Sequence, residues 1–205
     1  MMLVRARLHS PILWSALSAV LVVTTLAGAQ TAQKPTAKKA DAHKANELTL
    51  AGLRPGRDRL SRAVQLYHDY HKIEPKSSTH DGQTVWLDPC RKQLLAVDFD
   101  EEKKTQVVRV GAVELTADCL AVSPSPWKTG RGLRLGDAAD KVTQLYGEPD
   151  SRSPSTKDGQ PLELWYYAFD WAGPDVPQVM EVLCTKEKDG QPGHVVEITL
   201  AAPSL

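Results

Sequence analysis

The sequence predicts an α+β fold of two tandem repeats, each a helix packed on a three- to four-stranded antiparallel sheet. Three observations carry that expectation. The first is self-similarity: Gly52-Leu53-Arg54-Pro55-Gly56 recurs as Gly132-Leu133-Arg134-Leu135-Gly136, four of five residues identical at an offset of 80. Further matches keep their order: Gln65-Leu66-Tyr67 with Gln144-Leu145-Tyr146, Glu74-Pro75 with Glu148-Pro149, residues 78–83 with 155–160, and Trp86 with Trp165. Offsets drifting between 74 and 80 fit small loop insertions between two copies of one folded unit. The second observation is apolar spacing at helical period after each Gly-Leu-Arg string. The third is that β-rich runs, split by polar turns, follow each helix.

Taken along the chain, residues 1–29 read as a signal peptide. Arg5 and Arg7 form the positive start, Ile12 to Leu26 is mostly apolar, and Ala27-Gly28-Ala29 fits small-x-small cleavage. An apolar run of about 15 residues is shorter than the roughly 20 a permanent span requires, so no stable membrane span is expected after cleavage. Gln30 stands where a lipoprotein would carry its lipidated Cys, which points to an exported chain in the periplasm or outside the cell. Residues 30–47 have four Lys against Asp41 and Glu47 and no large apolar side chain, the composition of a flexible linker.

The first repeat is assigned to residues 48–119. Leu60, Val64 and Tyr67 fall on one helical face, the helix runs on through Tyr70, and Glu74-Pro75 ends it. A strand opens near Trp86, and runs at Leu94 to Phe99 and Thr105 to Val113 flank the turn Asp100 to Lys104. A second linker, residues 120–131, contains the stiff string Ser123-Pro124-Ser125-Pro126. The second repeat occupies residues 132–205. Asp137 is placed as helix N-cap, with Asp140 favoured by the dipole of the first turn. Val142, Leu145 and Tyr146 share a face of a helix of about ten residues, and Gly147 with Pro149 stops it. A polar loop closed by Asp158-Gly159-Gln160 leads to a strand near Trp165, then to runs at Gln178 to Thr185 and His194 to Leu200.

Composition narrows function. The 25 Lys+Arg balance 25 Asp+Glu, and cleavage after residue 29 leaves 23 against 25, so no charge excess directs the chain to nucleic acid. No Gly-x-Ser-x-Gly, His-Glu-x-x-His or phosphate-cradling glycine loop occurs, and no enzyme or cofactor is expected. His68 and His71 stand at i and i+3 with His80 further on, but no third ligand is fixed, so no metal is assigned. Asp98, Asp100, Glu101 and Glu102 read as a solvated hairpin turn rather than a calcium loop.

Two groups of residues stand out. Trp165, Tyr167, Phe169 and Trp171 alternate along one strand, so four large rings share a side. Trp165 and Tyr167 are expected under the helix. Phe169 and Trp171, toward the strand end beside Gly173-Pro174, are expected as partner-binding anchors, together with Tyr166 on the opposite face. Of three cysteines, Cys90 and Cys119 are the disulfide candidates, closing a loop of about 30 residues worth about 3–4 kcal/mol. Pairing through Cys184 is the rival, although Cys184 after Val182-Leu183 reads as a buried small apolar residue.

The string Gly-Leu-Arg-Leu-Gly at 132–136, a helix containing Val142, then Leu145-Tyr146-Gly147-Glu148-Pro149 and the strand residue Trp165 resemble the repeat of the β-lactamase inhibitor protein and of the BamE/SmpA-type outer-membrane assembly subunit. The resemblance implies a helix-plus-antiparallel-sheet unit that acts by binding protein. The expectation is therefore an exported, non-enzymatic module whose partner is another exported or envelope protein, as inhibitor of an enzyme or as assembly scaffold. A metal- or thiol-dependent enzyme is the third and weakest reading.

Overall fold

Two short helices and eight strands follow in the order α1 (Leu60–Tyr67), β1 (His71–Ile73), β2 (Gln83–Asp88), β3 (Gln93–Phe99), β4 (Thr105–Ala112), α2 (Ala139–Tyr146), β5 (Ser151–Lys157), β6 (Gln160–Ala168), β7 (Val179–Thr185) and β8 (Val195–Ala201). The computed structural model describes residues 46–73, 82–115, 119, 123–169, 178–187 and 193–202. The expected signal peptide, and the linker up to residue 45, lie outside the described residues.

All eight strands form one sheet in the order β1-β2-β3-β4-β8-β7-β6-β5, every neighbouring pair antiparallel. This corrects the expectation of two tandem repeats that each close their own three- to four-stranded sheet. The finding that overturns it is the β4–β8 ladder, in which Val108 faces Leu200 and Val110 faces Ile198. Two separate sheets would leave both strands as free edges of apolar residues with unpaired N–H and C=O groups. Pairing them removes both edges and fuses the apolar faces into one core.

That core follows from strand alternation. Trp86, Leu95, Val97, Val108, Val110, Ile198, Leu200, Met180, Val182, Trp165 and Tyr167 are all buried, and the register puts them on the same face. Both helices pack there. The Tyr67 ring lies 5.3 Å from that of Trp86, and Tyr146 lies 5.9 Å from Tyr167. On α1 the buried positions are Ala63 and Tyr67, whereas Val64, expected inward, is 43% exposed. The helices are eight residues each, and Tyr70 falls outside α1 because β1 begins immediately afterwards.

The helix starts are capped by backbone rather than by the expected Asp137. Gly136 N–H donates to Val195 O, Val195 N–H to Asp137 O, and Ala139 N–H to Gly193 O. Before α1 the same arrangement uses Gly56 with Thr105 O, Thr105 with Asp58 O, and Leu60 with Lys103 O. Asp137 instead accepts from Arg134 N–H at 2.7 Å and Lys141 Nζ at 2.8 Å, holding the preceding turn, and Asp58 accepts likewise from Arg54 N–H at 2.7 Å. Gly136, at φ +80°, supplies the left-handed backbone that this turn requires.

Two strands escaped the sequence reading. β5 (S-R-S-P-S-T-K) joins β6 through Asp158-Gly159, both at positive φ, a two-residue type I′-like hairpin. β5 is a polar edge strand, where Pro154 is tolerated because no further strand requires its missing N–H. β1 is only three residues long.

The segments read as linkers join the fold at their ends. Glu47 is 2% exposed. Its Oε1 accepts from the N–H groups of Leu48 and Thr49, and its Oε2 from Arg131 N–H at 3.0 Å and Tyr146 O–H at 2.8 Å. Trp127, 1% exposed, lies beside the rings of Tyr67 and Tyr70, so the 120–131 segment contributes to the core. Cys90 and Cys119 form the expected disulfide, and Cys184 is free and buried. His68 sits at the α1 C-terminus and His71 in β1, so the two do not share a helix, and His80 lies outside the described residues. The disulfide is compatible with export, and among the described residues no helix is long and apolar enough to cross a membrane.

Glu47 generates a test. Replacing it with Ala strands three backbone N–H groups, of Leu48, Thr49 and Arg131, and leaves the Tyr146 hydroxyl with Thr129 alone. Glu47→Ala is expected to cost about 3 kcal/mol or more in urea unfolding; a loss below about 1 kcal/mol would show that the carboxylate is not an anchor.

Candidate functional site

Alternation that buries one side of the sheet presents the other, and among the described residues no helix packs on that second side. Two rows of cross-strand partners map it. One runs Leu87, Leu94, Gly111, Glu197, Leu183, Leu164; the other Val85, Ala96, Arg109, Thr199, Glu181, Tyr166. Leu87, Leu94, Val85, Leu183, Leu164 and Tyr166 are half-buried. The face is thus apolar toward β2–β3 and β6–β7, with charge between them on β4 and β8.

The charged centre is built by three residues. Arg109 Nε donates to Thr199 Oγ1 at 3.3 Å and stands 3.5 Å from Glu197 Oε1. Lys157 Nζ donates to Glu197 Oε2 at 2.6 Å. Lys157 belongs to β5, three strands from β8, so in a flat sheet their backbones would lie about 14 Å or more apart. The contact therefore requires the sheet to curl toward its helix-free side, with the β5–β6 hairpin rising as a wall. Gly111 makes room for the pair: a Cβ there would stand 3.2 Å from both Glu197 Oε2 and Lys157 Nζ. Between the hairpin and the end of β4, Ala112, Val113, Lys157, Leu162 and Val196 line a cleft of about 530 Å³.

Groups with strongly altered protonation lie on the helix side instead. Burial raises the hydroxyls of Tyr67, Tyr146 and Tyr167 well above their ordinary range. Burial, reinforced by Glu163, pushes the Cys184 thiol up to about 12. Tyr146, Tyr167 and Cys184 sit in the core, while Tyr67 also borders a cleft of about 350 Å³ with Leu66, Tyr70 and Trp127. Among the described residues no three His, Cys, Asp or Glu side chains are grouped to hold a metal.

The expected partner-binding residues are not brought together. Tyr166 is on the helix-free face, paired with Ser151 and Glu181. Phe169 is 3% exposed, its ring 6.0 Å from those of Tyr146 and Tyr167, which corrects its reading as an exposed anchor. The reason is that Phe169 N–H donates to Gln178 O at 3.1 Å, so alternation continues one residue past β6 and keeps the ring under α2. Trp171 lies outside the described residues. Sequence reasoning missed Arg109, Leu183 and Leu94. The usable signal was Leu94-Leu95-Ala96-Val97, apolar on both faces, as expected of a strand whose second side is also to be covered.

Two outcomes follow. Phe169→Ala is expected to cost about 3–5 kcal/mol in urea unfolding, while Tyr166→Ala shifts stability by about 1 kcal/mol or less; the reverse order would restore Phe169 to the surface. The unfolded Cys184 thiol ionises near its ordinary 9.0 and the folded one near 12, so rising pH between them favours the unfolded chain, and the three tyrosines act in the same direction. Cys184 is expected to resist alkylation at pH 8.5 until urea unfolds the protein, and the thermal midpoint to fall from pH 9 upward; rapid labelling of the folded chain contradicts this.

No protein-family model matches the chain, and no curated protein matches it either. Among solved structures the chain is similar to a DUF4309 family protein (YjgB) from Bacillus subtilis subsp. subtilis str. 168, at a TM-score of 0.45 and 9% identity over 77% of this chain and 88% of that one.

Proposed function

We propose that this chain is an exported, non-enzymatic module that binds another periplasmic or secreted protein on the helix-free face of its sheet, inhibiting an enzyme. The observation that carries the reading is the breadth of that face. Followed along its curl, the face runs about 34 Å across eight strands and about 20 Å along every strand except the three-residue β1, the order of the ~800 Å² that one partner contributes to a standard protein interface. The cleft beside the β5–β6 hairpin is one part of this face, which as a whole is a curled surface with apolar flanks and a polar centre, the make-up of a protein interface. The sequence resemblance to the β-lactamase inhibitor protein supports the same mode of action. The polar stretch before residue 46 favours a second reading, a tethered scaffold in envelope assembly.

The test is capture of partners from envelope extract and culture fluid, followed by reconstitution with each purified candidate. Leu183→Lys and Tyr166→Ala are expected to weaken the complex by about tenfold or more, and Val64→Lys, on the helix side, to leave it unchanged. Stoichiometric loss of a captured hydrolase's activity identifies the inhibitor, and a membrane-assembly component the scaffold. Binding that survives both face variants, or is lost with Val64→Lys, overturns the proposal.

A further inference from the structure

Resting on that reading, the geometry points to Arg109 as the anchor that receives a carboxylate, the side chain of an Asp or Glu, from the bound protein. Arg109 stands on β4, next to the β4–β8 seam, with apolar flanks on either side. Only its Nε is engaged, by Thr199 and Glu197, and among the described residues the two terminal nitrogens of its fork have no partner, although the side chain is 42% exposed. Glu197 is shared with Lys157, so the cluster sets two cations against one carboxylate. Glu181, the acid in the same row as Arg109, stands two strands from it with Thr199 between them, about 10 Å away by strand spacing, and makes no ion pair among the described residues.

A planar guanidinium with a free double-donor edge matches a carboxylate, which accepts two parallel N–H bonds. The chemistry favours an acid over a phosphate or a free anion. The site is an open floor with Leu94 diagonally across the β3–β4 pair and Leu183 two strands away on the opposite flank, which rewards a carboxylate delivered with apolar neighbours from a macromolecular surface. Closure by the partner then removes water from the pair, as at the centre of an interface, where Arg is enriched among the residues that dominate binding. Glu181 on the same row gives the partner a second charge to match and sets the direction in which it lies.

The experiment uses a displayed library of randomised peptides selected on the immobilised full chain, with selected peptides resynthesised. Dissociation constants are measured for wild type, R109K, R109Q and L183K, and for each peptide with its acid replaced by the amide. Selected peptides are expected to carry an Asp or Glu flanked by apolar residues. R109Q is expected to weaken binding by about tenfold or more and R109K by less, and the acid-to-amide change to weaken binding to wild type but not to R109Q. That last comparison alters only the peptide and so is independent of folding. If L183K abolishes binding while R109Q and the amide peptides bind within about twofold of their parents, the anchor is wrong and the binding face stands. If neither variant matters, or no peptide is selected, both fall.

Discussion

The pairing of β4 with β8 is the constraint on which the rest depends. Five residues of each strand are in register across it, and Val108, Val110, Ile198 and Leu200 at the seam are fully buried. Each such side chain contributes about 1.5–3 kcal/mol relative to exposure, so the seam is worth more than either half gains from an isolated edge. A unit of about 70 residues with one eight-residue helix buries too small a fraction of its surface to be secure alone. Joining the sheets gives both helices a common floor, and by the same act makes the other side one surface with a charged centre between apolar flanks.

Helices of eight residues do not persist on propensity, since nucleation costs more than two turns return. Here they are held from outside. Their first N–H groups are satisfied by the backbone that leads into β4 and β8, and their last turns are fixed through tyrosines whose rings pack on the sheet. Tyr67 O–H donates to Ala51 O, while Tyr146 O–H donates to Glu47 and lies 2.7 Å from Thr129 Oγ1. Each helix is thus tied at one end to a strand and at the other to the chain that precedes it. This is why residues 46–53 and 123–131, which carry no helix or long strand, are integral to the core.

Much of this was legible in the sequence, and what was not has physical causes. The strands around Trp86, Leu95, Val108, Trp165, Val182 and Ile198 announce themselves by apolar alternation, because each buries one side in a single core. β5 does not, since an edge strand open to water on most sides imposes no apolar period and tolerates Ser and Pro. Its one signal was Asp158-Gly159, a dipeptide suited to positive φ at two consecutive residues, which marks a hairpin where a loop was expected. Glu47 was illegible because a charged residue in a polar run reads as solvated, and only tertiary structure adds Arg131 and Tyr146 to the local N–H donors of Leu48 and Thr49, which together offset its burial. The seam was hidden for a different reason: alternation shows which side a strand buries but never which strand lies beside it.

The helix-free face shows how far such a reading can reach. Periodicity assigned Tyr166 to it correctly and put Phe169 on the side of Trp165 and Tyr167, but the cover over that side was taken to stop short of the strand end, whereas the Phe169 ring packs against Tyr146 of α2. The centre of the face is set by three-dimensional curvature alone. Lys157 and Glu197 are 40 residues apart and three strands apart, and they meet only because the sheet curls and Gly111 leaves the space. An ion pair held in this way orders the hairpin wall at some desolvation cost, which its partial exposure moderates. It also occupies the carboxylate that would otherwise pair with Arg109 more closely. The Lys157–Glu197 contact therefore does two things at once: it shapes the wall of the trough, and it leaves the guanidinium at the floor with hydrogen-bonding capacity that no described residue uses.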